Sequence, residues 1–278
     1  MAQGALLKTL WLKNSAYVSP ARVLHKGQQA CTHLAHLSVD GRLQTAYIKA
    51  FPIGFGKCLF NEAVGSAMAR RAGVGAPDGG LIGVDARLLE NLFPTFRFPT
   101  QDREVVCWAS LPVLTGYGLA EVGVLDTVGP VLALIRQYVL AWDGFAACAA
   151  FDAWVGNIDR HANNLLVAGG GRLVPIDHSE CFGGGHWEPD EFERPQTWYL
   201  NKLLDLICAP AETLALPAKA GLMAAAEQFA VFFRHYEADL AAVAPWLGPH
   251  WGPVWLKWLQ QRSLLVVDLV RDRVRMLV

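Results

Sequence analysis

A chain that passes from an apolar, alanine-rich helix through a dense polar cluster into an apolar strand has few ways to fold. The cluster here lies within Phe151-Asp152-Ala153-Trp154-Val155-Gly156-Asn157-Ile158-Asp159-Arg160-His161-Ala162-Asn163-Asn164-Leu165-Leu166-Val167. A plain loop between two apolar elements needs only a Gly or an Asn. Downstream, Leu173-Val174-Pro175-Ile176 leads into Asp177-His178-Ser179. The segment Ala168-Gly169-Gly170-Gly171-Arg172 between the two apolar runs predicts a hairpin. Closing it sets Asn164 near Asp177 and leaves Asp159 one short loop from both.

Those residue types suit one kind of chemistry. Asn164 and Asp177 are hard oxygen donors of the sort that Mg²⁺ takes in small number, keeping water or phosphate oxygens for its other positions. Asp159 is placed to orient an attacking hydroxyl and accept its proton. The spacing of five from Asp159 to Asn164 is that of a kinase catalytic loop. Any one of the three would serve equally as a turn former or cap. Their order, with a hairpin between Asn164 and Asp177, points to phosphoryl transfer.

The rest of the chain divides in two. The first hundred or so residues read as a small sheet with one helix. Strand-like runs at 31–37 and 43–51 flank Asp40-Gly41, a strong hairpin signal. Residues 59–72 follow as a helix with Glu62 in its first turn, Arg70 and Arg71 in its last, and Gly73 as its stop. Further strands are expected at 79–84 and 104–108, with a loop around Pro94 and Pro99 between them. After Ser110 the pattern turns helical, at 125–142, 145–155, 218–235 and 255–278. The expected fold is therefore α+β, with a small β-rich lobe over 1–110 and a larger helical lobe over 111–278.

Composition limits the alternatives. Among 278 residues, 53% are hydrophobic and 18% charged, which excludes intrinsic disorder. A net charge of −1 gives no basic field for direct nucleic-acid binding. The six cysteines form no Cys-x-x-Cys pair, and no uncharged run reaches eighteen residues, so no transmembrane segment is expected. These features predict a soluble cytoplasmic protein. Trp251, Trp255 and Trp258 recur at helical spacing before Arg271, Arg273 and Arg275. That pattern fits a membrane-surface or partner helix, and better a terminal helix packed on the large lobe.

Asp159-Arg160-His161-x-x-Asn164 followed by Ile176-Asp177 resembles the signature shared by phosphatidylinositol 3/4-kinase-like domains and HipA-like kinases. The pair Asn61-Glu62 and the phrase from Phe151 to Asn157 are most similar to the compact HipA-like group. The resemblance runs from about Ala21 to Phe182 and implies an ATP- and Mg²⁺-dependent kinase of bilobal protein-kinase-like fold. It assigns Lys49, within Tyr47-Ile48-Lys49-Ala50-Phe51, to the ATP phosphates and Glu62 to the ion pair that holds it. Backbone groups from Trp108 to Ser110 would meet the adenine, with Trp108 lining the pocket. The loop His25-Lys26-Gly27-Gln28-Gln29-Ala30 would cover the phosphates through Gly27. His161 would support the catalytic loop, and Asp159, Asn164 and Asp177 keep the roles given above. The acceptor implied is a protein Ser or Thr, and a partner protein of the antitoxin kind is compatible with it.

Other functions compete. The same fold serves non-catalytic nucleotide- or partner-binding modules, and kinases of lipids or small molecules. A metallophosphatase would need an Asp-x-His upstream of Gly156-Asn157-Ile158-Asp159, and the residues before that segment contain none. His178 and His186 lack a usual zinc spacing. Lys49 alone reads equally as an edge-strand lysine, and Glu62 alone as a complement to the helix dipole. Arg160 is suited either to phosphate or to a salt bridge that fixes the loop.

Overall fold

The hairpin announced by Asp40-Gly41 lies within an antiparallel sheet. The computed structural model describes residues 10–13, 15–24, 29–113, 117–118, 130–208 and 214–274. Strands β1 (Ser15–Leu24), β2 (Cys31–Val39) and β3 (Arg42–Ala50) are successive neighbours, with Val39 opposite Arg42 at the turn. Asp40 and Gly41 have φ of 48° and 73°, the left-handed pair whose twist matches the flanking strands. β2 alternates buried and half-buried residues throughout, as a strand with one face in a core must. β1 gives no such signal in the sequence. It is an edge strand containing Pro20, and register shifts on both sides of Ser19-Pro20 break the period of two.

Helix α1 (Gly56–Arg71) follows β3. It begins at Gly56 and not at residue 59, so its first turn holds no acidic residue, and Glu62 is not a dipole complement there. Arg70 and Arg71 do occupy the last turn. Gly73 then takes φ 73° while its N–H reaches the Arg70 carbonyl at 3.2 Å. Strand β4 (Gly79–Asp85), helix α2 (Ala86–Leu92) and strand β5 (Glu104–Ser110) complete this part. Among the described residues, α2 joins α1 beside the sheet, where the sequence predicts one helix. Asp85 starts the second by accepting the Leu88 N–H at 3.0 Å. The strand order is β1-β2-β3-β5-β4.

The two faces of the sheet have different fates. Ala35, Leu37, Ala46, Ile48, Val84 and Cys107 form one core with Leu89 of α2. Leu81 and Trp108 belong to a second core, with Phe60, Val64 and Met68 of α1. That second core continues unbroken into the helical part. There α3 (Pro130–Leu140), α4 (Phe145–Val155), α5 (Lys202–Ile207), α6 (Leu216–Val243) and α7 (Gly248–Val274) surround a small sheet. The sheet is β6 (Tyr117–Gly118), β7 (Leu165–Val167) and β8 (Leu173–Pro175), in that order. Asn164 falls in the 3₁₀ turn Ala162–Asn164 and not on the strand. The α+β arrangement expected from the sequence, a sheet-bearing N-terminal part and a helical C-terminal part, is the one observed.

The predicted helices differ mostly at their ends. Of 125–142, residues 130–140 are helical and 125–129 lie outside the described residues. α6 is longer at both ends than 218–235, and α7 starts at Gly248, carrying Pro253 within it. Trp255 and Trp258 are wholly buried, so α7 is a packed helix and not an open apolar face. Arg271 and Arg273 pair with Asp268 and Asp205, while Arg275 lies outside the described residues. No helix among the described residues is long and apolar enough to cross a membrane. All six cysteines are unpaired.

His33 shows what burial does to a titratable group in this sheet. Its side chain is inaccessible, with Nε2 3.0 Å from the Tyr17 hydroxyl and Nδ1 without a partner. Burial pushes its pKa down from 6.5 to about 4. Below pH 6.5 the unfolded chain therefore takes up a proton that the folded chain refuses. Stability is lost as pH falls, by about 1.4 kcal/mol per pH unit from this one group. Urea unfolding of the wild type and His33→Gln between pH 7 and pH 4.5 is expected to show a shallower loss in the variant. Equal pH slopes would contradict this account.

Candidate active site

Lys49 leaves β3 on the face it shares with Thr45 and Tyr47, beside Trp108 of β5. Its Nζ lies 3.2 Å from Glu62 Oε2 on α1 and 2.9 Å from Asp177 Oδ1 in the segment after β8. The same Glu62 oxygen accepts the backbone N–H of His178 at 2.9 Å. One carboxylate, 2% exposed, thus joins the sheet, the helix and the loop that carries Asp177. Ser179 Oγ donates to Asp177 Oδ1 at 2.8 Å. Asp177 itself has φ 60°, a left-handed conformation in which few non-glycine residues rest without such bonds.

The charges are strongly coupled. Burial works against the Lys49 ammonium, but the attraction of Asp177 and Glu62 outweighs it and holds the pKa above its usual value. For Asp177, burial is likewise outweighed by Lys49 and by the Ser179 hydrogen bond, so the carboxylate stays well below its usual range. Glu62 is pushed up to about 7, first by burial, with Lys49 pulling down and Asp177 pushing further up.

The loop that carries Asp159 and Asn164 follows the end of α4. Gly156 closes that helix at φ 61°, a left-handed stop, and Asn157 then returns its N–H to the Asp152 carbonyl at 2.9 Å. Asp152 and Arg160 form a fully buried pair, with Nε to Oδ2 at 3.2 Å. Arg160 Nη1 also donates to the carbonyls of Ile176 and Asp177. The choice that the sequence left open for Arg160 falls to the salt bridge: this side chain fixes the loop. Asn157 continues the lattice, donating to Asp152 Oδ1 at 2.9 Å and accepting the Asp159 N–H at 3.1 Å.

Asn164 is tied to Asp159 and to the residue before Asp177. Its Nδ2 donates to the Asp159 carbonyl at 2.7 Å, and its own carbonyl accepts the Ile176 N–H at 3.0 Å. The hairpin sets the Asn164 backbone beside Ile176, one residue before Asp177, while Asp159 is held to Asn164. His161 stands beside them, with Nε2 3.6 Å from Asp159 Oδ2 and Nδ1 accepting the Asn163 N–H at 3.2 Å. Lys202 Nζ, from the start of α5, donates to Asp159 Oδ1.

Donor chemistry decides whether a magnesium ion fits. Asn164 spends its amide N–H on Asp159, which leaves its amide oxygen as the atom able to meet a cation. Asp177 is held ionised and its side chain is 36% exposed. Glu180 places a buried carboxylate oxygen, Oε1, without a hydrogen-bond partner nearby. Its pKa is raised by burial and by Asp159 and Asp177, against a hydrogen bond from Gln29. Among the described residues no three His, Cys, Asp or Glu side chains converge as an all-protein metal cage. Two oxygen donors in an acidic cleft suit an ion that keeps waters and phosphate oxygens. The residues fit Mg²⁺.

α1 is fitted closely to this loop. Asn61 Nδ2 reaches the carbonyls of Ser179, Cys181 and Gly184 at 2.9, 2.7 and 2.8 Å, while Trp187 Nε1 donates to Asn61 Oδ1 at 3.2 Å. His178 Nδ1 lies 3.1 Å from Ser66 Oγ. Gly65 is required by this approach, since a Cβ there would stand 2.9 Å from His178 Cβ and 3.0 Å from Cys181 Sγ. Lys57, one turn earlier, places its ammonium 4.7 and 4.3 Å from the ring centres of Trp187 and Trp251.

The remaining expected site residues are placed differently. The Trp108 ring is 2% exposed, in the core with Arg70 5.9 Å from its centre, so it does not form an open pocket wall. Ser110 ends β5 between Tyr47 and Gly79. Gly27, with His25, Lys26 and Gln28, lies outside the described residues. Sequence reasoning missed the structural roles of Asn61, Asp152 and Asn157, and missed Lys202 altogether. Asp152 and Asn157 carried a signal, as polar residues at the end of an apolar helix.

The family model described as phosphatidylinositol 3- and 4-kinase matches residues 132–205. This stretch is less than half of the chain, contains Asp159, Asn164, Asp177 and Lys202, and supports a kinase-like chain. No curated protein matches the sequence. Among solved structures, the chain is similar to the crystal structure of a Helicobacter pylori proinflammatory kinase, CtkA. Identity is 12% and the TM-score 0.49, over 92% of this chain and 96% of that one.

The Asp152–Arg160 pair gives a direct test of how the loop is held. Asp152→Asn leaves the Arg160 charge buried without its counter-charge. The expected loss is about 3–5 kcal/mol of unfolding free energy, read from urea midpoints. A loss below about 1 kcal/mol would mean that solvent or another anion takes over from Asp152.

Proposed function

We propose that this chain is an ATP- and Mg²⁺-dependent phosphotransferase of HipA-like kind that acts on a Ser or Thr hydroxyl of a protein. The observation that carries the reading is that Lys49 meets Glu62 and Asp177, while Asn164 bonds to Asp159 and, through its backbone, to Ile176 just before Asp177. In it, Lys49 holds the phosphates of ATP and Glu62 holds Lys49. Residues 1–110 act as the nucleotide-binding lobe, with Gly27 over the phosphates and the backbone around Ser110 beside the adenine. Residues 111–278 act as the catalytic lobe. Bound by Asn164 and Asp177, Mg²⁺ supplies neutralisation of charge on the phosphate oxygens.

Asp159 orients the acceptor hydroxyl. The hydroxyl oxygen bonds to the γ-phosphorus, the bond from that phosphorus to the bridging oxygen of ADP breaks, and the hydroxyl proton passes to the Asp159 carboxylate. His161 supports Asp159 from its open side. The protein acceptor rests on the Asn61-Glu62 pair and on the Phe151–Asn157 phrase. The family match over 132–205 favours a second reading, in which the acceptor is a lipid or small-molecule alcohol. Six unpaired cysteines suit a reducing, cytoplasmic setting.

The test is transfer from labelled Mg·ATP to the protein itself, to a panel of proteins and to inositol lipids, with mass spectrometry of the products. Wild type is expected to transfer phosphate to a Ser or Thr. Asp159→Asn is expected to lose at least ~10²-fold in turnover while keeping its nucleotide affinity. Asp177→Asn is expected to lose the magnesium dependence of nucleotide binding. Binding of Mg·ATP with no transfer to any acceptor class, or full activity of Asp159→Asn, would overturn the reading.

A further inference from the structure

The acceptor side of the cleft poses a charge problem. Asp159 and Asp177 are acidic, and a phosphoryl group moving toward Asp159 brings more negative charge to it. Arg160, the catalytic loop's own cation, is wholly buried and committed to Asp152 and to two carbonyls. Lys49 is engaged with Glu62 and Asp177 on the donor side. Besides the half-exposed imidazole of His161 and the Asn164 amide at 3.5 Å, the Lys202 ammonium meets the Asp159 carboxylate, a cation brought from elsewhere in the fold.

The position of Lys202 is built by buried contacts. Asn201, 3% exposed, caps α5 by accepting the Leu204 N–H at 3.0 Å and donates to the Ala149 carbonyl of α4 at 2.9 Å. The helix that ends in the catalytic loop therefore also anchors the residue before Lys202. Just upstream, Arg262 of α7 holds the Pro195 and Thr197 carbonyls at 2.8 and 2.9 Å. The Tyr199 ring lies so close to Gly156 that a Cβ there would meet its Cδ2 at 2.9 Å. The strap from Pro195 to Asn201 is fixed along its length, and it delivers one ammonium, 38% exposed, to one oxygen of Asp159.

We infer that Lys202 is a catalytic residue that contacts the transferring phosphoryl group from the acceptor side while it remains hydrogen-bonded to Asp159. The inference rests on the phosphotransferase reading and extends it. The ammonium lies where negative charge gathers in the transition state, and a donor in that place favours the transition state over bound ATP. Its partial exposure leaves it free to turn part of its hydrogen-bonding capacity from Asp159 to a phosphoryl oxygen.

The test compares the full-length wild type, Lys202→Met and Lys202→Arg. It measures turnover of Mg·ATP, affinity for Mg·ADP, and affinity for Mg·ADP with aluminium fluoride, a mimic of the phosphoryl in flight. Lys202→Met is expected to lose ~10²-fold or more in kcat and to bind the fluoride complex correspondingly more weakly. Affinity for Mg·ADP and the melting temperature are expected to stay near wild type, and Lys202→Arg to recover part of the loss. An active wild type with Lys202→Met unchanged in kcat overturns this inference alone. So does an equal loss of affinity for Mg·ADP and for its fluoride complex. An inactive wild type that binds Mg·ATP overturns the phosphotransferase reading together with it.

Discussion

One buried carboxylate holds the arrangement together. Glu62 accepts from the Lys49 ammonium and from the His178 N–H with the same oxygen, so a sheet strand, a helix and the Asp177 loop meet at one point. A carboxylate this deep is costly to ionise. Two donors offset part of that cost, and burial still pushes its pKa up. The consequence is mutual dependence. Lys49 is held in place by Glu62, Asp177 by Lys49 and Ser179, and the Asp177 backbone by Arg160.

The apolar contacts around this point serve the same end. Phe60 of α1 meets Trp255 of α7 edge-on at 5.2 Å, and Phe182 beyond the Asp177 loop meets the same ring at 5.4 Å. Each such contact contributes about 0.5–1.5 kcal/mol beyond the area it buries. Together with the Lys57 ammonium against Trp187 and Trp251, they seat α1 on the helical part at the face from which Asn61 and Glu62 project. Trp255 and Trp258 are thus packed beneath α1 and the Asp177 loop.

What the sequence made legible is what local chemistry determines. Asp40-Gly41 fixes a left-handed turn and so the register of β2 with β3. The glycine-rich segment 168–172 and its apolar flanks bring Asn164 beside the Asp177 loop. The first turn of α1 escaped because Gly56 and Lys57 carry no apolar period, and Lys57 is held there by aromatic rings distant in sequence. β1 escaped because its bulges break the alternation. Trp108, at the end of the expected strand 104–108, was given to the pocket by the resemblance, whereas the pleat turns its ring into the core beneath α1. Lys202 could not be found from spacing, because a strap pinned by Arg262 and Asn201, and not a local motif, carries it to Asp159.

The Glu62 carboxylate joins three separate segments, and the proposed function needs that junction to handle phosphate. The most direct test of that need is turnover of Mg·ATP by Glu62→Gln beside the wild type, with nucleotide affinity and melting temperature measured on the same samples. A folded variant with turnover at least ~10²-fold lower is expected, since Lys49 loses one of its two counter-charges and the three segments lose their common anchor. Turnover within about twofold of an active wild type would contradict it, because misplacing such groups is expected to cost far more.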